Sequence, residues 1–113
     1  MPYVYISTSA SLTAEKKSEL LEAIAPLLPI LPGKNRSNAM VELDGDKFMA
    51  MGDPAVLCAF AEIRLYRQSP AEAKAKFAAE LTALLTEKLG VPADHVYLNY
   101  MEMDHWGLRG TLI

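Results

Sequence analysis

The chain has 113 residues, 51% of them hydrophobic, and its 14 acidic and 11 basic side chains give a net charge of −3. That length suits one compact domain rather than two, and the composition is too apolar for disorder. The scattered basic residues form no phosphate-binding stripe, so nucleic acid is not an expected partner.

Cys58 is the only cysteine, which rules out an intrachain disulfide and a zinc framework of paired cysteines. The first residues lack a basic segment followed by a long apolar run, so neither a signal peptide nor a membrane span is expected. The expected compartment is the cytosol, and leaderless export is compatible with it. So high an apolar fraction on so small a domain points to burial against other subunits as well as within one.

Tyr3 to Thr8, rich in aromatic and β-branched residues, predicts the first strand. Ser9 to Thr13 is a turn able to cap a helix. Leu20, Leu21, Ile24, Leu27, Leu28 and Leu31 then recur at helical spacing with charged residues on the other face. Pro26 and Pro29 each remove a backbone donor and predict a kink or an end near residues 25–30, and Pro32-Gly33 closes the element. Asn38 to Leu43 predicts a second strand, Asp44-Gly45-Asp46 a hairpin turn and Lys47 to Met51 a short return strand. After Gly52-Asp53-Pro54, Val56 to Leu65 predicts a strongly apolar strand. Ser69-Pro70-Ala71-Glu72 predicts a helix start with Ser at the cap and Pro at the first helical position. That helix puts Phe77, Leu81, Leu84, Leu85 and Leu89 on its inner face and stops at Gly90. Val96 to Met101 is the last long strand, and Trp106 to Ile113 a small C-terminal hairpin.

The halves match at an offset of 57: Tyr3 with Phe60, Ile6 with Ile63, Leu20 with Phe77, Ile24 with Leu81, Gly33 with Gly90 and Val41 with Leu98. The expected fold is therefore α+β, one domain over residues 1–113. It is a duplicated β-α-β unit (2–57 and 58–113) forming a four-stranded mixed sheet with two helices on one face. The other face of the sheet needs a cover, which oligomerisation would supply.

Pro2 stands directly before the first strand. Removal of Met1, usual when a small residue follows, would leave Pro2 with a free secondary amine, a group no other position in a chain offers. Kept unprotonated, it can serve as base or nucleophile. With Met1 in place the nitrogen of Pro2 is an amide and that chemistry is absent.

Met1-Pro2 leading into a strand, Pro32-Gly33-Lys34, Phe48-Met49-Ala50-Met51-Gly52 and Val96-Tyr97-Leu98-Asn99-Tyr100 resemble the macrophage migration inhibitory factor and D-dopachrome tautomerase branch of the tautomerase superfamily. The resemblance covers nearly the whole chain. It implies a homotrimer whose sheets wrap into a β-barrel-like assembly, with a site at each subunit interface. It implies cofactor-free keto–enol tautomerisation of α-keto acids such as phenylpyruvate. Carried over by position, Pro2 is the catalytic base and Lys34 binds the substrate carboxylate. Tyr97 and Asn99 of a neighbouring subunit line the pocket, and Tyr66 falls at the end of the central strand that also contributes.

The residue types suit that chemistry. A terminal amine has an ordinary pKa of about 7.7–8.0. An apolar pocket and a nearby Lys34 both disfavour its cation and lower that value toward the range where a general base works best. No metal or organic cofactor is required. Each residue also has a plainer reading: Lys34 at a helix end complements the helix dipole, Tyr97 packs, His95 and His105 sit at the surface, and Cys58 is a small buried hydrophobe. Asn99 fits a plain role least, since Asn is depleted in strands.

The chain departs from the family at three places. Cys58-Ala59-Phe60-Ala61 replaces a Cys-x-x-Cys motif, which removes dithiol redox chemistry. Leu65-Tyr66-Arg67 stands where a Ser-Ile-Gly turn is frequent and would narrow or re-charge the pocket mouth. The tail carries Trp106-Gly107 without the family's run. Two alternatives stand beside the enzyme: a cytokine-like interaction protein with a protein receptor and vestigial activity, and a dehalogenase or hydratase relative, for which Arg36, Arg64 and Arg67 are available but unaligned.

Overall fold

The computed structural model describes residues 1–113. Four strands, β1 (Pro2–Thr8), β2 (Met40–Asp44), β3 (Ala59–Tyr66) and β4 (Val96–Met103), form one mixed sheet in the order β2-β1-β3-β4. β1 and β3 run antiparallel at its centre, and each pairs in parallel with the outer strand of its own β-α-β unit. The register is the same in both units: Tyr3 lies opposite Met40 and Phe60 opposite Tyr97, 37 positions on in each case. β5 (Gly107–Leu108) and β6 (Thr111–Leu112) make the small C-terminal hairpin.

Strand alternation decides what the sheet buries. In β1 and β3 every second side chain is buried, Val4 and Ile6 on one and Ala61, Ile63 and Leu65 on the other. Against them pack α1 (Ala14–Ile24) and α2 (Ala71–Leu89), whose Leu20, Ile24, Phe77, Leu81 and Leu85 have no exposed surface. One apolar cluster thus holds both helices on one face, each large side chain contributing roughly 1.5–3 kcal/mol on burial. Equivalent positions at the offset of 57 are buried alike, as Leu20 with Phe77 and Ile24 with Leu81. Gly33 and Gly90 both take the left-handed conformation, φ +76° and +75°.

α1 is capped by the hydroxyl of Thr13, which accepts from the Lys16 N–H at 3.1 Å. The prolines then tighten the chain into a 3-10 segment, Ala25–Ile30, rather than breaking it outright. At α2 the cap position belongs to Pro70 and no side chain caps it. Ser69 is not the expected cap because Pro70, with ψ 143°, is still extended and the helix begins one residue later. The Ser69 N–H donates instead to the carboxylate of Glu102 (2.6 Å), which also takes the Lys74 ammonium at 2.7 Å. These bonds fasten the end of β4 to the start of α2.

Three boundaries differ from the sequence reading. The return strand Lys47–Met51 does not form. Its first donors go elsewhere: the N–H of Asp46 donates to Ala10 O (2.9 Å) and that of Lys47 to Thr8 O (3.1 Å), so the chain runs beside the end of β1 instead of folding back on β2. Gly45 packs so closely that a Cβ there would sit 2.5 Å from Leu12 Cγ. The second strand starts at Met40, because Asn38 closes a 3-10 turn with Asn35. The third starts at Ala59, because the Cys58 N–H is taken by Ser9 Oγ at 3.0 Å. No helix is long and apolar enough to cross a membrane.

Candidate active site

Pro2 opens β1, is buried, and lies opposite Leu65 at the end of β3. The antiparallel pairing of the two central strands therefore sets the start of the chain beside Tyr66 and the turn after it. Lys34 arrives from the other side. Leu31, fully buried, anchors a turn in which the Lys34 N–H donates to Leu31 O at 3.0 Å, with Gly33 in the left-handed conformation between them. Asn38 ties the same loop down by donating from Nδ2 to Gly33 O at 3.1 Å.

The result is a lysine held against the N-terminal amine. With Met1 in place that amine is pushed down to about 6, first by burial and then by the charge and hydrogen bond of Lys34. Both causes disfavour the ammonium form.

Two cavities meet at Met1. One, of about 460 Å³, includes Pro2, Tyr3, Arg64 and Trp106; the other, of about 640 Å³, includes Lys34, Ser37, Tyr66 and Arg109. Met1, Asn38, Met40 and Leu108 border both. No Asp or Glu lines either one. Leu108 and Arg109 come from the C-terminal hairpin, whose turn has positive φ at both Arg109 (52°) and Gly110 (78°), the geometry of a tight two-residue hairpin turn. Its ends are clasped by two Trp106–Ile113 backbone hydrogen bonds of 3.2 and 2.9 Å.

Of the expected site residues, Pro2, Lys34 and Tyr66 come together here. Tyr97 and Asn99 do not. They project from the uncovered face of β4, Tyr97 60% exposed, and lie opposite Phe60 and Glu62, which lie opposite Ser7 and Tyr5. Ser7 is five residues along β1 from Pro2, roughly 16 Å. Within one chain they cannot reach Pro2. Arg67 adopts φ +66°, a conformation glycine takes freely and an arginine at a cost of about 1–2 kcal/mol. Its guanidinium lies 5.1 Å from the Tyr66 ring centre, so it braces that ring rather than lining a cavity. Arg36 is taken up by Glu22 in a two-pronged pair with both contacts at 2.6 Å.

Sequence reasoning left Arg64 unplaced and missed Asn38, Met40, Trp106, Leu108 and Arg109. The Arg109-Gly110 pair in the tail was a usable turn signal; the others depend on register.

A smaller cavity, of about 190 Å³, lies at the opposite end of the sheet. All eight of its lining residues stand 57 positions from residues lining the Pro2 cavity. Cys58, Ala59, Phe60, His95 and Tyr97 correspond to Met1, Pro2, Tyr3, Asn38 and Met40, and Met49, Ala50 and Met51 to Trp106, Gly107 and Leu108.

The family model described as macrophage migration inhibitory factor (MIF) matches residues 1–113. MIF2 of Leishmania major has a similar structure, with a TM-score of 0.90 at 20% identity over 100% of this chain and 97% of that one. The MIF-like protein of Entamoeba histolytica follows at 0.86 and 24% identity over 99% and 98%. The structure of Pt0534 inactivated by 2-oxo-3-pentynoate matches at 0.81 and 23% identity over 96% and 93%. No curated protein matches by sequence. At these identities the structures speak for the fold, and the match over the whole chain to the family model places it: this protein belongs to the macrophage migration inhibitory factor family.

Proposed function

We propose that this protein is a cofactor-free keto–enol tautomerase of phenylpyruvate-like 2-oxo acids, with Pro2 as general base once Met1 is removed. The observation that carries the reading is the setting of the N-terminal amine. It sits where burial and Lys34 keep an amine largely neutral at physiological pH. A neutral secondary amine there accepts a proton from the carbon next to the keto group. It returns that proton to oxygen, so the substrate is isomerised and the protein is unchanged. Lys34 holds the substrate carboxylate and offsets the enolate charge. Tyr66 forms a wall of the pocket, its ring braced by Arg67.

In this reading the protein is a homotrimer, and a neighbouring subunit supplies Tyr97 and Asn99. Their exposure on the uncovered sheet face, far from their own Pro2, supports that arrangement. The similarity to Pt0534, a protein inactivated by 2-oxo-3-pentynoate, supports the 2-oxo acid part of the reading. The test pairs the intact mass of the purified protein with a hydroxyphenylpyruvate tautomerase assay on the same sample. Activity in Met1-free protein that is lost in Pro2→Gly is the expected result; a silent Met1-free wild type overturns the reading.

A further inference from the structure

The Pro2 site is richer in positive charge than the scaffold requires. Lys34, Arg64 and Arg109 line its two cavities, and none of them pairs with a carboxylate. Of the other eight basic residues five do, Lys16, Arg36, Lys47, Lys74 and Lys88, while Lys17, Arg67 and Lys76 do not, on a chain that carries more acid than base. The positions 57 residues away from Lys34, Arg64 and Arg109 are Val91, Ser7 and Gly52, none of them charged. The same backbone is thus built at the other end of the sheet without these cations.

Their placement is two-sided. Lys34 and Arg109 border the cavity on one side of Met1, and Arg64 borders the cavity on the other, its guanidinium 5.4 Å from the Tyr3 ring centre. Met1 borders both cavities, together with Asn38, Met40 and Leu108, and Pro2 lines the one that holds Arg64. A 2-oxo acid whose carboxylate meets Lys34 and whose reacting carbon lies at Pro2 then extends its far end toward Arg64. An arginine is always charged and presents a fork of donors that matches a carboxylate.

We propose that Arg64 is a specificity-determining residue that binds a second, distal carboxylate, so that the preferred substrates are 2-oxo di-acids. This rests on the tautomerase reading for the position of the substrate but not for the anion site itself.

The test uses Met1-free protein and two acids with the same five-carbon chain, 2-oxoglutarate and 2-oxopentanoate, which differ by the terminal carboxylate. Trp106 is the only tryptophan and lines the Arg64 cavity, so its fluorescence reports binding with or without turnover. The expected result is a Kd at least tenfold lower for the di-acid. Arg64→Gln is expected to collapse that ratio toward one, and Arg64→Lys to keep part of it. Equal Kd values for the two acids, or a ratio untouched in Arg64→Gln, overturn the proposal. Deuterium exchange at C3 of either acid, followed by NMR and lost in Pro2→Gly, reports on the tautomerase reading separately. If neither acid exchanges, that reading fails while the binding ratio still decides the second-anion site.

Discussion

The cavity at Pro2 and the smaller one at Cys58 occupy corresponding places on the two β-α-β units, and their lining differs in a consistent direction. Pro2 becomes Ala59, whose nitrogen is tied into the chain and can never be a free amine. Lys34 becomes Val91, which is fully buried, and Arg64 becomes Ser7. Trp106 becomes Met49. One end keeps the shape and fills it with apolar side chains; the other keeps the shape and adds an amine and cations. The sheet register and helix packing are common to both, so the scaffold alone does not make a site. In the proposed function the difference is the chain start, because only a terminal nitrogen can be a base.

The largest expected difference between the two ends is at these corresponding residues. Pro2→Gly is expected to lower kcat/KM for hydroxyphenylpyruvate roughly 10²-fold or more, the contribution typical of a positioned general base. Ala59→Gly is expected to leave kcat/KM within about twofold and cost only about 1 kcal/mol in stability, read from urea unfolding. Equal losses of activity would break the comparison.

Lys34→Ala is expected to raise KM roughly tenfold or more, the effect of losing a charge-assisted hydrogen bond. It is also expected to move the acid limb of kcat/KM to higher pH. Lys34 lowers the pKa of the Met1 amine; acting likewise on the Pro2 amine of the proposed enzyme, its removal raises that pKa, and the variant loses more activity near pH 6 than near pH 8. Val91→Ala, at the matching position, is expected to cost on the order of 2 kcal/mol of stability and leave the pH profile alone.

Glu102 sharpens the comparison from the stability side, since its counterpart is Gly45 and only the second unit has the clamp. Glu102→Gln is expected to destabilise by roughly 1–3 kcal/mol near neutral pH. Lys74 and the Ser69 N–H hold the Glu102 carboxyl below its ordinary range. Its contribution is therefore complete above the unfolded carboxylate pKa and fades as pH falls through the lower folded value. Urea midpoints of wild type and variant should converge in acid; a constant gap would contradict the clamp.

The smallest effects come from Gly33→Ala and Gly90→Ala. Both glycines have φ near +75° with open space where a Cβ would stand, so each substitution is expected to cost about 1 kcal/mol by strain alone. Thermal unfolding should shift by similar amounts. Only Gly33→Ala should also raise KM, because it moves Lys34.

The helices, the four strands and the two glycine stops were legible because burial repeats at 3.6 and 2 residues, and these periods survive in a single sequence. That Pro2 and Lys34 lie near one another was expected only through the family resemblance; the structure sets the Lys34 side chain against the N-terminal amine. The missing return strand was not legible. Asp-Gly-Asp signals a turn, but whether the following donors pair with β2 or with the end of β1 depends on which acceptors lie nearby. The expected Ser69 cap did not form because Pro70 stays extended, and the bond of the Ser69 N–H to Glu102, 33 positions away, was not legible either.

By itself, then, the sequence determined the elements, the repeat-like register of the two units and the amine that could act as a base. Local propensity and periodicity act over a few residues and need no partner. Only the tertiary structure decided that Arg64 stands opposite Tyr3, that the C-terminal hairpin brings Trp106 and Arg109 to Met1, and that Tyr97 and Asn99 lie on the uncovered face of β4, away from Pro2 of the same chain. The placing of Arg64, Tyr97 and Asn99 is a consequence of strand register, and a shift of one residue in that register would send these side chains to the other face.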